Sequence, residues 1–252
     1  MSPSRVTVRP ARPEDRDAIV HICLMTANEG KSAAPLVTIP ELPALVWALP
    51  YLELPTGFGF VMVEESTGEG EDIAQPDNLS NNTDTDTSKS PLQAREKIVG
   101  YIVGTSNTEA YELAAEKQWW PKLRERYLRP DESESDADAD GLTPRDRHYL
   151  RLIQSGTHAP SDALAFSGAT IHINILPEHQ RCGWGRRLLH VAVNELQKSG
   201  SDGLWVGSNG VEGRRFYSKV GFKPLQEQDI KFMGLRFEDF VAPQTPLAHY
   251  LQ

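Results

Sequence analysis

The part of this chain that most restricts its fold is residues 169–200. Residues 169–176 are almost continuously apolar, with His172 and Asn174 as polar members, which predicts a strand buried on both faces. Pro177 stops it. From about Gly183 an amphipathic helix runs to Ser199, with Leu189, Ala192, Val193 and Leu196 on one face and Gly200 as its C-cap. Strand, glycine-bearing loop and helix in that order aim several unpaired backbone N–H groups and the positive end of a helix at one point. Glycines let a phosphate approach that backbone closely. The loop Gln180-Arg181-Cys182-Gly183-Trp184-Gly185, flanked by Arg186 and Arg187, is therefore a candidate anion cradle. A bare G-x-G is equally a tight turn whose glycines serve helix packing, so the surrounding sequence has to decide.

Around that centre the pattern predicts a mixed α/β domain. Residues 6–10 alternate like a short strand, Pro13, Glu14 and Asp15 suit a helix start, and Ile19, Ile22, Cys23 and Thr26 form a helical stripe. The proline-rich residues 28–57 hold two apolar pieces, 42–49 and 51–54, that read as short helices. Residues 58–64 and 97–105 are β-rich and read as adjacent antiparallel strands. Residues 108–128 are helical with a break at Pro121, and 142–154 are helical again. After the central helix come a strand at 203–208, a helix at 212–220 ended by Gly221, and a last strand at 230–237. An antiparallel start thus leads into a βαβα second half.

Composition bounds the rest. The 252 residues are expected to form a single domain, 1–252, with disordered insertions at 65–96 and 131–141, because Glu, Asp, Asn, Ser and Thr without apolar anchors cannot offset their ordering entropy. A formal net charge of −9 argues against a nucleic-acid partner, whose phosphates call for clustered Lys and Arg. Two cysteines, Cys23 and Cys182, make no disulfide framework. No apolar run approaches the roughly 20 residues of a membrane span, so a cytoplasmic protein is expected, with the nucleus as the alternative.

Ile175-Leu176-Pro177-Glu178-His179-Gln180-Arg181-Cys182-Gly183-Trp184-Gly185 resembles the acyl-coenzyme A signature Q/R-x-x-G-x-G/A of GNAT acetyltransferases, and Phe216-Tyr217-Ser218-Lys219-Val220-Gly221-Phe222 resembles their second landmark. Lys97-Ile98-Val99-Gly100-Tyr101 is similar to a third. Thr26, Asn28, Gly30, Pro50-Tyr51, Trp119-Trp120-Pro121, Arg126-Tyr127 and 172–177 further resemble the acetyltransferase-like domains associated with β-N-acetylglucosaminidases, which implies amino-sugar chemistry. The resemblance implies the GNAT fold, a central twisted and mostly antiparallel sheet splayed at the coenzyme site and flanked by helices. It implies acetyl-coenzyme A as co-substrate, without a metal. Ile175, Leu176, Gln180, Arg181, Cys182, Gly183, Trp184, Gly185, Arg186, Asn209 and Tyr217 would then bind it.

Transfer of acetyl from a thioester to an amine needs a neutral amine, a donor for the carbonyl oxyanion and a proton for the departing thiolate. The resemblance implies a backbone N–H near Ile175 as the oxyanion donor and Tyr217 as the acid; Tyr217 is otherwise an aromatic packing its helix on the sheet. His172 and Asn174 share one face of their strand. His172 is a candidate base or a hydrogen-bonded core histidine, and Asn174, an amide, orients a substrate hydroxyl or a water. Tyr51, Trp119, Trp120 and Tyr127 are candidate walls for a sugar ring, with helix packing as the plain alternative. Cys182 reads as a loop filler. The leading expectation is N-acetylation of a small amino sugar such as glucosamine. The alternatives are a protein lysine, an aminoglycoside or polyamine acceptor, or a non-catalytic acyl-coenzyme A module. A homodimer stays open.

Overall fold

The computed structural model describes residues 5–66, 95–127, 141–208, 210–227 and 230–252. Its centre is a seven-stranded sheet in the order β1-β2-β3-β4-β5-β7-β6. β1 (Arg5–Pro10), β2 (Phe58–Ser66), β3 (Arg95–Thr105) and β4 (Thr170–Ile175) pair antiparallel in chain order. β5 (Gly203–Gly207) joins β4 in parallel, and β7 (Phe232–Arg236) separates β5 from the short β6 (Lys223–Pro224) at the edge.

The expected disordered insertion at 65–96 lies mostly outside the described residues, but its ends need correcting. Ser66 pairs with Arg95 and Glu65 with Glu96, so both strands run past the expected boundaries. Ladder hydrogen bonds and the Arg9–Glu96 ion pair at 3.2 Å extend order into charged sequence that propensity reads as loop. The second insertion, apart from Gly141, lies outside the described residues.

Helices cover the sheet because each presents one apolar stripe. In α1 (Arg16–Thr26) Ile19, Ile22, Cys23 and Thr26 are buried as their spacing requires. α2 (Leu42–Trp47) and α3 (Leu49–Glu53) take up the two apolar pieces, each with proline in its first turn. Between β3 and β4 stand α4 (Thr108–Gln118), α5 (Trp120–Tyr127), α6 (Pro144–Ser155) and α7 (Ser161–Phe166). The break expected at Pro121 falls at Trp119 instead: proline is tolerated in the first turn of α5, so it begins that helix. α8 (Trp184–Lys198) buries Leu188, Leu189, Val191, Ala192, Val193 and Leu196, and α9 (Val211–Lys219) follows β5. Among the described residues no helix is long and apolar enough to cross a membrane.

Two features missed in the sequence complete the frame. The last residues return to β1: Val8 donates to the Tyr250 carbonyl at 2.6 Å and accepts from Gln252 at 2.8 Å, covering an otherwise open edge. The last strand also starts later than expected, at Phe232, after a connection that includes Ile230.

Candidate functional site

β3 carries a register shift opposite Met62 and Val63 that bends it where it meets the end of β4. Leu176 donates to the Val99 carbonyl at 2.9 Å. Antiparallel pairing alternates, so this bond assigns the N–H groups of Asn174 and His172 to β3 as well. Those of Ile173 and Ile175 point to the β5 side. There pairing has already ended. β4 and β5 share one registered pair, Thr170 with Trp205, closed by Trp205 N to Ala169 O and Thr170 Oγ1 to Trp205 O, both at 2.9 Å. Beyond it the strands diverge, leaving a V whose β4 arm carries backbone donors without a registered strand partner among the described residues.

The loop after β4 opens α8 with two residues in the left-handed region, Arg181 (φ 62°) and Gly183 (φ 83°), the latter being the helix N-cap. Such alternation turns successive N–H groups to one side, and the helix end adds its partial positive charge. Gly183 is exposed, and a Cβ there would come no closer than 3.7 Å to Arg187, so this face of the loop is open to an anion. Arg181 is exposed and Arg186 half-buried beside it. These residues fit the pyrophosphate of a coenzyme. Other members of the loop also have contacts within the chain. A Cβ on Gly185 would lie 2.9 Å from the Phe216 ring, so this glycine lets α9 close on α8. The Gln180 side chain donates to the Ile175 carbonyl at 2.8 Å and the Gly30 carbonyl at 3.1 Å, tying β4 to the turn after α1. Trp184 packs on Tyr250 and carries Arg187 over its ring. The Cys182 thiol lies exposed against the Gln180 carbonyl at 3.3 Å, as a filler would. Asn209 lies outside the described residues.

Tyr217 sits on α9 between Phe216 and Phe222, with ring centroids 5.3 and 5.0 Å away. Its ring is buried. Desolvation raises its pKa above that of an ordinary phenol, so the hydroxyl holds its proton at neutral pH.

On the α1 face of β4, Asn174 Nδ2 reaches the Tyr101 hydroxyl at 2.9 Å and His172 Nε2 at 3.3 Å, and Tyr101 meets the Cys23 thiol. This corrects the candidacy of His172 as base. Desolvation lowers its pKa to about 4, and its Nε2 lone pair is engaged by Asn174, so it is a neutral and weakly basic imidazole. Burial likewise pushes the Cys23 thiol up to about 12, so no charge enters this group of side chains at neutral pH.

The proposed tryptophan walls are also corrected. Trp120 is 1% exposed and Trp119 is 7% exposed, its indole donating to the Leu45 carbonyl at 2.9 Å, so both belong to the core. Tyr51 stacks on Tyr111 at 4.3 Å, and the Tyr127 hydroxyl is bound to Glu41. Their ring and hydrogen-bond contacts thus lie at the helix junctions rather than with His172 or Asn174. The aromatic that does stand beside His172 is Trp47, 6.5 Å away at 24° and 36% exposed. Its spacing in a run of buried aliphatics gave no sign of this.

Glu29 is the other residue the sequence reading passed over. It occupies the left-handed region (φ 53°) next to Gly30 (φ 84°), in a turn closed by Asn28 N to Lys31 O and Lys31 N to Asn28 O, both at 3.0 Å. Two-residue turns of this kind favour Asn-Gly, and a non-glycine residue there costs roughly 1–2 kcal/mol. A Glu-Gly pair was the available signal.

Known proteins share parts of this architecture. Residues 150–224 match the family model of the acetyltransferase (GNAT) domain, a span that contains β4, the loop, α8, β5 and α9. The crystal structure of SsHAT is 25% identical, covers 93% of this chain and 98% of its own, and superposes with a TM-score of 0.67, so the two share a fold. A GNAT family acetyltransferase from Brucella melitensis in complex with acetyl-CoA is more distant, at 14% identity, 96% and 92% coverage and a TM-score of 0.42.

Proposed function

We propose that this chain is an acetyl-coenzyme A-dependent N-acetyltransferase that transfers acetyl directly to the amine of a small amino sugar, with glucosamine as the first acceptor to test. The observation that carries it is the divergence of β4 and β5 after Thr170 and Trp205, beside an open helix N-terminus. Such a V can take an extended pantetheine arm, whose amides pair with unpaired strand backbone. Arg181, Gly183 and Arg186 would hold the pyrophosphate. Bound there, the thioester supplies an activated acetyl carbonyl.

The chain's own groups then have distinct tasks. The Ile175 N–H, aimed at the V, donates to the carbonyl oxygen as negative charge develops. Tyr217 gives its proton to the sulfur as the carbon–sulfur bond breaks. The amino-sugar acceptor is supported by Trp47, a flat apolar face beside the polar pair His172 and Asn174, the combination that C–H-rich sugar faces and their hydroxyls require. The test is acetyl-coenzyme A consumption across glucosamine, a lysine peptide, a polyamine and an aminoglycoside. Turnover with glucosamine exceeding the others supports the proposal. Preference for the peptide would overturn the acceptor, and consumption with none of them would overturn the activity.

A further inference from the structure

Acetyl transfer at this site still needs a group to receive the proton of the incoming ammonium; Asn174 is an amide, and burial leaves His172 a weak base. We propose that Glu29 is that base. This rests on the functional reading above.

The turn 28–31 is pinned to the mouth of the V from both arms. On the β4 side, Gln180 bridges the carbonyls of Gly30 and Ile175 at 3.1 and 2.8 Å. On the β5 side, a Cβ placed on Gly210, the N-cap of α9, would meet Cβ, Cγ and Cδ of Glu29 at 3.2 to 3.3 Å. The Glu29 side chain therefore lies against the N-terminus of the helix that carries Tyr217, in a turn tied to the end of β4. It is exposed, and among the described residues no hydrogen bond or ion pair engages its carboxylate. Its backbone sits in the left-handed region where Asn or Gly would cost less, so glutamate stands here against the preference of its own turn. Strain kept at a cleft mouth, under an unpaired carboxylate, is the mark of a residue held for its chemistry. The charged groups on the elements packed against it are Lys31 in the turn, Arg181 in the loop tied to Gly30, and Glu212, Arg214 and Arg215 on α9; Arg215 is paired with Glu212.

The step balances as follows. The Glu29 carboxylate takes one proton from the ammonium, giving a neutral amine whose lone pair forms the nitrogen–carbon bond. The carbon–sulfur bond breaks and its electron pair leaves on sulfur, which receives the Tyr217 proton. The nitrogen, cationic after attack, loses its second proton to restore Tyr217 through solvent, and Glu29 releases its own to water. One proton is liberated per turnover.

Three measurements on the full chain test this. In Glu29→Gln, kcat/KM for the amine at pH 7 is expected to fall about 100-fold or more, while calorimetric affinity for acetyl-coenzyme A stays unchanged. The deficit should shrink as pH rises through the pKa of the amine, because free amine then needs no base. In Glu29→Asn, which suits the left-handed turn, Tm should rise by about 2–4 °C although activity is lost. Glu29→Gln within threefold of wild type, a deficit equal at every pH, or a lower Tm for Glu29→Asn would each overturn the assignment. If the wild type acetylates its amine while Glu29→Gln does so equally well, this inference fails alone; a wild type that neither binds acetyl-coenzyme A nor consumes it removes both.

Discussion

The two arms of the V are made of different material. The β4–α8 arm is backbone: N–H groups at Ile173 and Ile175 with no registered strand partner among the described residues, a left-handed pair at Arg181 and Gly183, and a helix end, all from one contiguous stretch. In the proposed reading the acceptor side is made of side chains from distant segments, with Glu29 from the turn after α1, Trp47 from α2 and His172 and Asn174 from β4. Backbone donors read the part of a ligand that never changes. Side chains collected from several segments can be exchanged one at a time, so this is where a change of acceptor costs the fold least.

The largest effect should come where the two sides meet, at the hydroxyl of Tyr217. Tyr217→Phe keeps the ring packed on Phe216 and Phe222, so acetyl-coenzyme A affinity should hold while kcat falls about 10²- to 10⁴-fold in single-turnover measurements. A drop below about threefold would make Tyr217 a packing residue.

Next in size is a pH effect on the acceptor side. His172 is held near 4 when folded but titrates near 6.5 when unfolded, so the unfolded chain binds the extra proton between those values. Its contribution is complete above pH 6.5 and lost as pH falls toward 4. The unfolding free energy of wild type relative to His172→Phe should therefore decline by about 3 kcal/mol between pH 7 and pH 4 in denaturant titrations. A constant difference would mean that His172 is not desolvated.

Gly185→Val asks whether the glycine of the loop serves packing rather than ligand approach. A side chain there meets Phe216, so stability should fall by about 1–3 kcal/mol and turnover should fall with it, since Tyr217 is carried on the same helix. Loss of coenzyme affinity at unchanged Tm and kcat would reverse that assignment.

The smallest effects separate the tryptophans. Trp47→Ala should raise KM for the amine about tenfold with little change in Tm, whereas Trp119→Phe, which removes the bond to Leu45, should cost about 1 kcal/mol of stability and leave KM alone. The opposite pattern would restore the sugar wall to the α4–α5 junction.

This contrast also explains what the sequence could tell. The order of strands and helices from 169 to 224 is local, since Pro177, Gly183, Gly200 and Gly221 punctuate it and the stripe of α8 is regular, so that half was legible almost to the residue. The splay at Thr170 and Trp205 was legible only through resemblance, because no local pattern states where two distant strands stop pairing. The acceptor side was misread for the same reason. Trp119 and Trp120 look like a platform in one dimension, yet the turn between α4 and α5 rolls both inward, while Trp47 is left at the surface by the short α2. Glu29 carried a usable sign, glutamate where a left-handed turn prefers asparagine, but its meaning depends on Gln180 and Gly210 being brought to it. The return of Tyr250 and Gln252 to β1 has no sequence periodicity behind it at all.

The central claim, that coenzyme is read by the backbone of the β4–α8 arm, is tested most directly by titrating acetyl-coenzyme A into the isotopically labelled chain and following backbone amide resonances. Amides of Ile173, Ile175 and residues 181–187 should shift together and saturate with the calorimetric affinity, while those of α2 and α4–α6 stay in place. Saturable binding that moves the acceptor-side helices and leaves Ile175 and Gly183 unchanged would contradict it.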